Sequence, residues 1–137
     1  MPANSFQNAQ TPDGLYAVPA GELHLFDETD RTSGSFDINV NPTTAFVEHD
    51  LSARVPKGTK ALWSYCEITP SDALAFINIR DANSAATNDY QSIVLGSGTQ
   101  HGQPIIIKAT DGIFDIREWS ATFEASSFKF QLWGYFI

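Results

Sequence analysis

The sequence predicts an all-β protein, an antiparallel β-sandwich of which the jelly roll is one topology, preceded by an extended N-terminal arm. Three observations carry this. Eight to ten short segments alternate between apolar and polar residues, or run apolar, at intervals of about 8 to 14 residues. Gly, Pro, Asn and Asp separate them, the residues that set turn backbones. No segment holds a helical period over three turns.

The strongest strand signal is Phe128 to Ile137, FKFQLWGYFI. Period two places Phe128, Phe130, Leu132 and Phe136 on one face and Lys129, Gln131, Trp133, Tyr135 and Ile137 on the other. Both faces are largely apolar, so a central strand that closes a sheet is expected. The arm, residues 1 to 20, mixes Asn, Gln, Ser, Pro and Gly with scattered apolar residues. Fully extended it would reach roughly 65 to 70 Å. The body is then residues 21 to 137. Glu22 to Phe26 reads as a short strand with Leu23 and Leu25 on one face. An acidic loop, Asp27 to Gly34, follows. Ser35 to Val40 alternates with Phe36, Ile38 and Val40 inward and Asp37 and Asn39 outward, and ends at Asn41-Pro42. Thr44 to Glu48 and Leu51 to Val55 read as two β pieces, or one strand bulged near His49-Asp50.

Beyond the turn Pro56 to Thr59, Lys60 to Ile68 is a long strand, with Ala61, Trp63 and Tyr65 on one face and Leu62, Cys66 and Ile68 on the other. Ala73 to Arg80 and Tyr90 to Leu95 are further strands around the polar loop Asp81 to Asp89. Gly96 to Gly102 is a glycine-rich connection. Asp111-Gly112 is the strongest hairpin signal, predicted to join Ile105–Ala109 to Ile113–Arg117. Trp119 to Glu124 is expected to add a strand before the last one.

At 137 residues the chain is one domain, large enough to fold without staples. Sixteen acids against eight bases give a net charge of −8, which argues against nucleic acid and anionic membranes as partners. The one cysteine, Cys66, excludes an intrachain disulfide and suits a small core position. No signal peptide and no apolar run of membrane-spanning length are visible.

Chemistry-bearing motifs are sparse. His24, His49 and His101 lack a second ligand at metal-binding spacing, and read as surface or loop-edge residues. Gly96-Ser97-Gly98 lacks the spacing of a nucleophile elbow, and no Lys-Ser/Thr pair follows it to make a phosphate loop. Asp27 to Asp30 and Asp81 to Asp89 hold oxygen ligands of the kind calcium takes, without the pattern of a calcium loop; they read as solvated loops. Sixteen acids offer no paired carboxylates for glycoside hydrolysis. No catalytic residue, cofactor or metal is expected. Trp63, Trp119 and Trp133, with Tyr65 and Tyr135, fit core packing, a subunit interface or a sugar-stacking platform.

The run Val55-Pro56-Lys57-Gly58-Thr59-Lys60-Ala61-Leu62-Trp63 resembles the opening of small phage-type β-sandwich domains. Leu132-Trp133-Gly134-Tyr135-Phe136-Ile137 resembles their ending. Ile77-Asn78-Ile79-Arg80-Asp81 and Asp111-Gly112-Ile113-Phe114-Asp115-Ile116 are similar in style, so the resemblance spans roughly residues 55 to 137; the first fifty residues share none of it. It implies a virion part made in the host cytoplasm, either a capsid decoration (cement) protein or a tail-fibre tip. Such domains are usually homotrimeric and carry no catalytic residues. A decoration protein would bind the major capsid protein through the arm, with Phe6, Leu15, Tyr16 and Val18 as anchors. The alternative is a glycan- or receptor-binding module with an exposed aromatic patch beside its loops.

Overall fold

A computed structural model of the chain describes residues 21–27, 31, 36–71, 74–84, 90–96, 101–120, 122 and 124–137. The proposed arm, with Phe6, Leu15, Tyr16 and Val18, lies outside the described residues. The body is all-β, as the alternation predicts. Nine strands are described: β1 (Leu23–Leu25), β2 (Ile38–Val40), β3 (Val47–Asp50), β4 (Ala61–Pro70), β5 (Leu74–Asp81), β6 (Gln91–Gly96), β7 (His101–Lys108), β8 (Ile113–Glu118) and β9 (Ala125–Phe136).

They form two antiparallel sheets. The five-stranded sheet runs β1-β9-β4-β7, with β2 beside β9, and the four-stranded sheet runs β3-β8-β5-β6. The pairs β5·β6, β4·β7, β3·β8 and β2·β9 nest one inside the next, the order of a jelly roll. β9 is the expected closing strand. It lies along β4 on one side, while β1 and β2 share its other edge.

The core fills the space between the sheets. Leu62, Cys66 and Ile68 of β4, Ile77 and Ile79 of β5, Ile107, Phe114 and Ile116, and Phe128, Phe130 and Leu132 of β9 are all buried to within 1%. Phe114 of one sheet meets Phe130 of the other at 5.2 Å between ring centroids, which fixes how the layers face one another. β4 shows the clean alternation the sequence predicts, every second residue being buried from Leu62 to Pro70.

Five expectations are corrected. The register of β4 on β9 shifts between Trp63 and Ser64, so that Trp63 opposes Gly134 and Ser64 opposes Leu132. Trp133 is thus the extra residue of a bulge, and everything after it changes face. Tyr135 turns inward opposite Leu62 and packs on the core, while Phe136 turns outward opposite Ala61. Asp37 also lies inward, its side chain only 9% exposed.

Leu51 to Val55 is a turn rather than a strand. The Asp50 carboxylate accepts the Ser52 N–H and the Leu51 carbonyl accepts the Arg54 N–H. Leu51 and Val55 are both buried, but Ala53 between them, which a period of two would bury as well, is exposed. Trp119 to Glu124 also holds no strand among its described residues; the Thr122 N–H bonds back to the Ser120 hydroxyl.

Asp111-Gly112 does take the backbone its residue types favour, with φ of 55° and 84°. It makes no hairpin, because β7 belongs to one sheet and β8 to the other. The 3₁₀ turn Thr110–Gly112 carries the chain across the sandwich. The Asp111 carboxylate accepts the Gly58 N–H and the Thr59 carbonyl accepts the Asp111 N–H. A Cβ on Gly112 would stand 2.6 Å from Val55 Cγ2.

Candidate functional site

The two outer faces of the sandwich differ in kind. The four-stranded sheet turns Glu48, Arg80, Asp115, Arg117, Asn78 and Ser92 away from the core, together with Phe76 and the exposed Val94, and Asn78 and Asp115 are buried there. Arg80 Nε donates to Asp115 Oδ2 at 2.9 Å. The guanidinium carbons of Arg80 and Arg117 lie 3.8 and 4.3 Å from the centre of the Phe46 ring. The Asn78 carbonyl oxygen accepts the Ser92 hydroxyl, while Asn78 Nδ2 and Arg117 Nε are buried without partners. These residues are direct cross-strand neighbours. Rotating the amide by 180° turns its acceptor oxygen to the side of its present nitrogen and still leaves Ser92 a partner. The cluster therefore reads as structural.

The outward positions of β1, β4, β7 and β9 instead hold Leu23, Leu25, Trp63, Tyr65, Ile106 and Phe136. Leu25 is 58% exposed, Ile106 49% and Leu23 43%. The rows run across the strands: Leu23 beside Phe136 and Ala61, then Leu25 beside Gly134, Trp63 and Ile106, then Gln131 beside Tyr65 and Pro104. Gly134 lets the β1 backbone pass, since a Cβ there would lie 2.5 Å from the His24 carbonyl oxygen.

Three of the five aromatics singled out in the sequence meet on this face. Tyr65 stacks on Trp133 at 5.3 Å and 8°, and Trp63 meets Trp133 edge-on at 6.4 Å. Arg31 lies 5.1 Å from the Trp133 ring centre. Trp133 thus has Tyr65 as a stacking partner and a cation over its ring. The other two aromatics lie elsewhere. Tyr135 faces inward and stacks on His24, and Trp119 stands half-exposed beyond the end of β8. Sequence patterning misses Arg31, which sits inside an otherwise acidic loop.

Beside this face, β6 and β7 are the edge strands of their two sheets. Between them runs a groove of about 440 Å³, lined by Trp63, Gln91, Val94, Gln103, Pro104 and Ile106 among others. A second, mostly apolar hollow of about 250 Å³ lies at the opposite flank, with Val40, Pro42, Val47, His49 and Ile116 in its wall.

Among the described residues no cluster of three or more His, Cys, Asp or Glu side chains could hold a metal ion. Asp81, named in the sequence as an oxygen ligand, is engaged by protein. Burial works against its charge, but the Thr110 hydroxyl and N–H and the Asn83 N–H bond it and hold its pKa below the usual value. His24 and His49 are half-buried in strands and not at loop edges. Burial lowers the His49 pKa, against an opposing pull from Asp115. Glu118, buried at the inner end of β8, has its pKa raised by burial and by Glu124, while the Ala125 N–H works the other way. Among the described residues no helix is long and apolar enough to cross a membrane.

No protein-family model matches the chain, and no curated protein matches it in sequence.

Proposed function

We propose that this chain is a structural virion component, a capsid decoration protein that assembles as a homotrimer and grips the major capsid protein with its N-terminal segment. The observation that supports an assembly role is the apolar outer face of the five-stranded sheet. Large apolar side chains on a water-facing sheet gain by being covered. The jelly-roll strand order is one that viral shell proteins use, although fold by itself does not assign function. Three segments binding one shell would multiply a modest contact into tight attachment.

The test is cosedimentation with purified capsid shells. Deletion of residues 1 to 18 should abolish binding and leave the unfolding transition of the body in place. Full occupancy by the truncated protein would refute the role of the arm.

A second reading is favoured by the groove between β6 and β7, where Trp63 stands among the amides Gln91 and Gln103. An aromatic wall with convergent amides suits a saccharide. Saccharide binding on a glycan array that is lost in Trp63→Ala would replace the decoration role with a glycan-binding one.

A further inference from the structure

We infer that the outer face of the five-stranded sheet is the surface on which a second copy of this chain docks. The inference rests on taking that face as a docking surface, as above, and names its partner.

Charge selects the occupant. Each copy carries −8, so two copies repel wherever their acids meet. The outward positions of β1, β2, β4, β7 and β9 hold a single acid, Glu67, and it sits directly across from Lys129. Lys108 is on the same face, and Arg31 stands over Trp133. Lys108 and Lys129 against Glu67 leave the strand positions at +1, and Arg31 is offset by the exposed Asp27, whose carbonyl accepts the Arg31 N–H, so the face is close to neutral against −8 for the whole chain. It is therefore a region where two acidic copies approach with little like-charge repulsion.

Composition points the same way. Interface cores are enriched in Trp, Tyr and Phe and depleted in acids, and here Trp63, Tyr65, Trp133 and Phe136 lie among Leu23, Leu25 and Ile106. Four strands at ~4.8 Å and eight residues at ~3.3 Å give a footprint of roughly 19 by 26 Å. With the relief of the aromatic side chains this approaches the ~800 Å² per partner of a standard interface. The Tyr65–Trp133 stack is also already formed, so few side-chain rotamers have to be frozen on docking. Face against face closes a twofold pair; face against the flank of the next copy closes the threefold ring of the proposed trimer.

Sedimentation equilibrium of the full chain, from low concentration to about 100 μM, tests this. The expected result is an oligomer, dimer or trimer, whose association weakens by roughly 30-fold or more in Leu25→Glu/Ile106→Glu. Val47→Glu, which alters an equally exposed apolar residue on β3 of the other sheet, should associate like the wild type. Thermal unfolding of each dilute variant checks that the body is folded. Should the double variant not fold, Leu25→Gln/Ile106→Gln takes its place. A monomer throughout the range, or a folded face variant that associates unchanged, overturns the inference. So does a monomer that associates only once residues 1 to 20 are removed, since that segment would then be the occupant. A monomer that still coats shells defeats this inference and the proposed trimer and leaves the shell-binding role standing; an oligomer that ignores shells defeats the virion reading alone.

Discussion

Asp37 offers the sharpest test of how the five-stranded sheet holds together. On the free edge of β9, β1 covers Gly134 to Phe136 and β2 covers Phe128 to Phe130, which leaves a gap at the bulge. Two bonds fill it: Phe26 N–H to the Trp133 carbonyl, and Leu132 N–H to Asp37 Oδ2, each 2.8 Å. The other Asp37 oxygen takes Arg54, whose guanidinium carbon also lies 5.5 Å from the Phe26 ring centre. One carboxylate thus stands in for a missing strand residue and anchors the turn that follows β3.

Asp37→Ala removes a hydrogen bond to a charged acceptor, worth about 1.5–3 kcal/mol, and leaves the buried Leu132 N–H unpaired, at about 1–3 kcal/mol. The two overlap, and Arg54 is about a third exposed, so its loss is discounted for solvent. The expected total is about 3 kcal/mol, or roughly 10 °C in Tm for a domain of this size. Asp37→Asn keeps an acceptor for Leu132 and should cost about half as much. A cycle with Arg54→Met should give a coupling of about 1 kcal/mol. Urea unfolding followed by Trp fluorescence reads all five proteins, the double variant included. An Asp37→Ala variant within about 0.5 kcal/mol of wild type would show that the gap in the sheet edge does not depend on this carboxylate.

Gly112→Ala combines a positive φ with a Cβ pressed against Val55 and the Leu51 backbone; a loss of at least about 2 kcal/mol is expected, and wild-type stability in urea would disprove the crowding. His49 is held neutral by burial, so its contribution to stability is complete above the ordinary histidine value of about 6.5 and is lost as pH falls below it. A pH series of Tm should show that slope, and His49→Gln should flatten it. The Cys66 thiol is pushed up to about 11 by burial. It should resist alkylation in the native state and react on unfolding, and its contribution to stability is complete below about 9 and lost as pH rises from there towards about 11. Rapid native labelling would contradict its placement in the core.

The sandwich is legible in the sequence because burial follows simple alternation over most of its length. β4 is the clearest case, with polar or aromatic residues outward and Leu62, Cys66 and Ile68 inward. β9 is legible as far as Leu132. Beyond it, Trp133, Gly134, Tyr135 and Phe136 contain no charged residue to mark which side is wet, so the bulge that exchanges Tyr135 and Phe136 leaves no trace in the pattern. Asp111-Gly112 shows a different limit. Residue type fixes its local φ, while the choice between pairing adjacent strands and crossing to the other sheet is made by β4 and β5, which are distant in sequence. The outer-face cluster is legible in part: Trp63, Tyr65 and Trp133 are placed on the outer faces of their strands by spacing, but Arg31 reaches the cluster from a loop.

The shared edge of β9 also bears on how the chain matures during translation. Every strand of the four-stranded sheet precedes β9, so the pairings of that layer need no residue of it. β1 and β2 precede the other described strands, yet among the described residues they pair only with β9. They wait, with the inner surface of β4 uncovered by Phe128, Phe130 and Leu132, until the twelve residues of β9 have emerged. The unfinished molecule is an open half-sandwich with bare strand edges, a state prone to sticking, and its closure is one late step set by the arrival of a single segment.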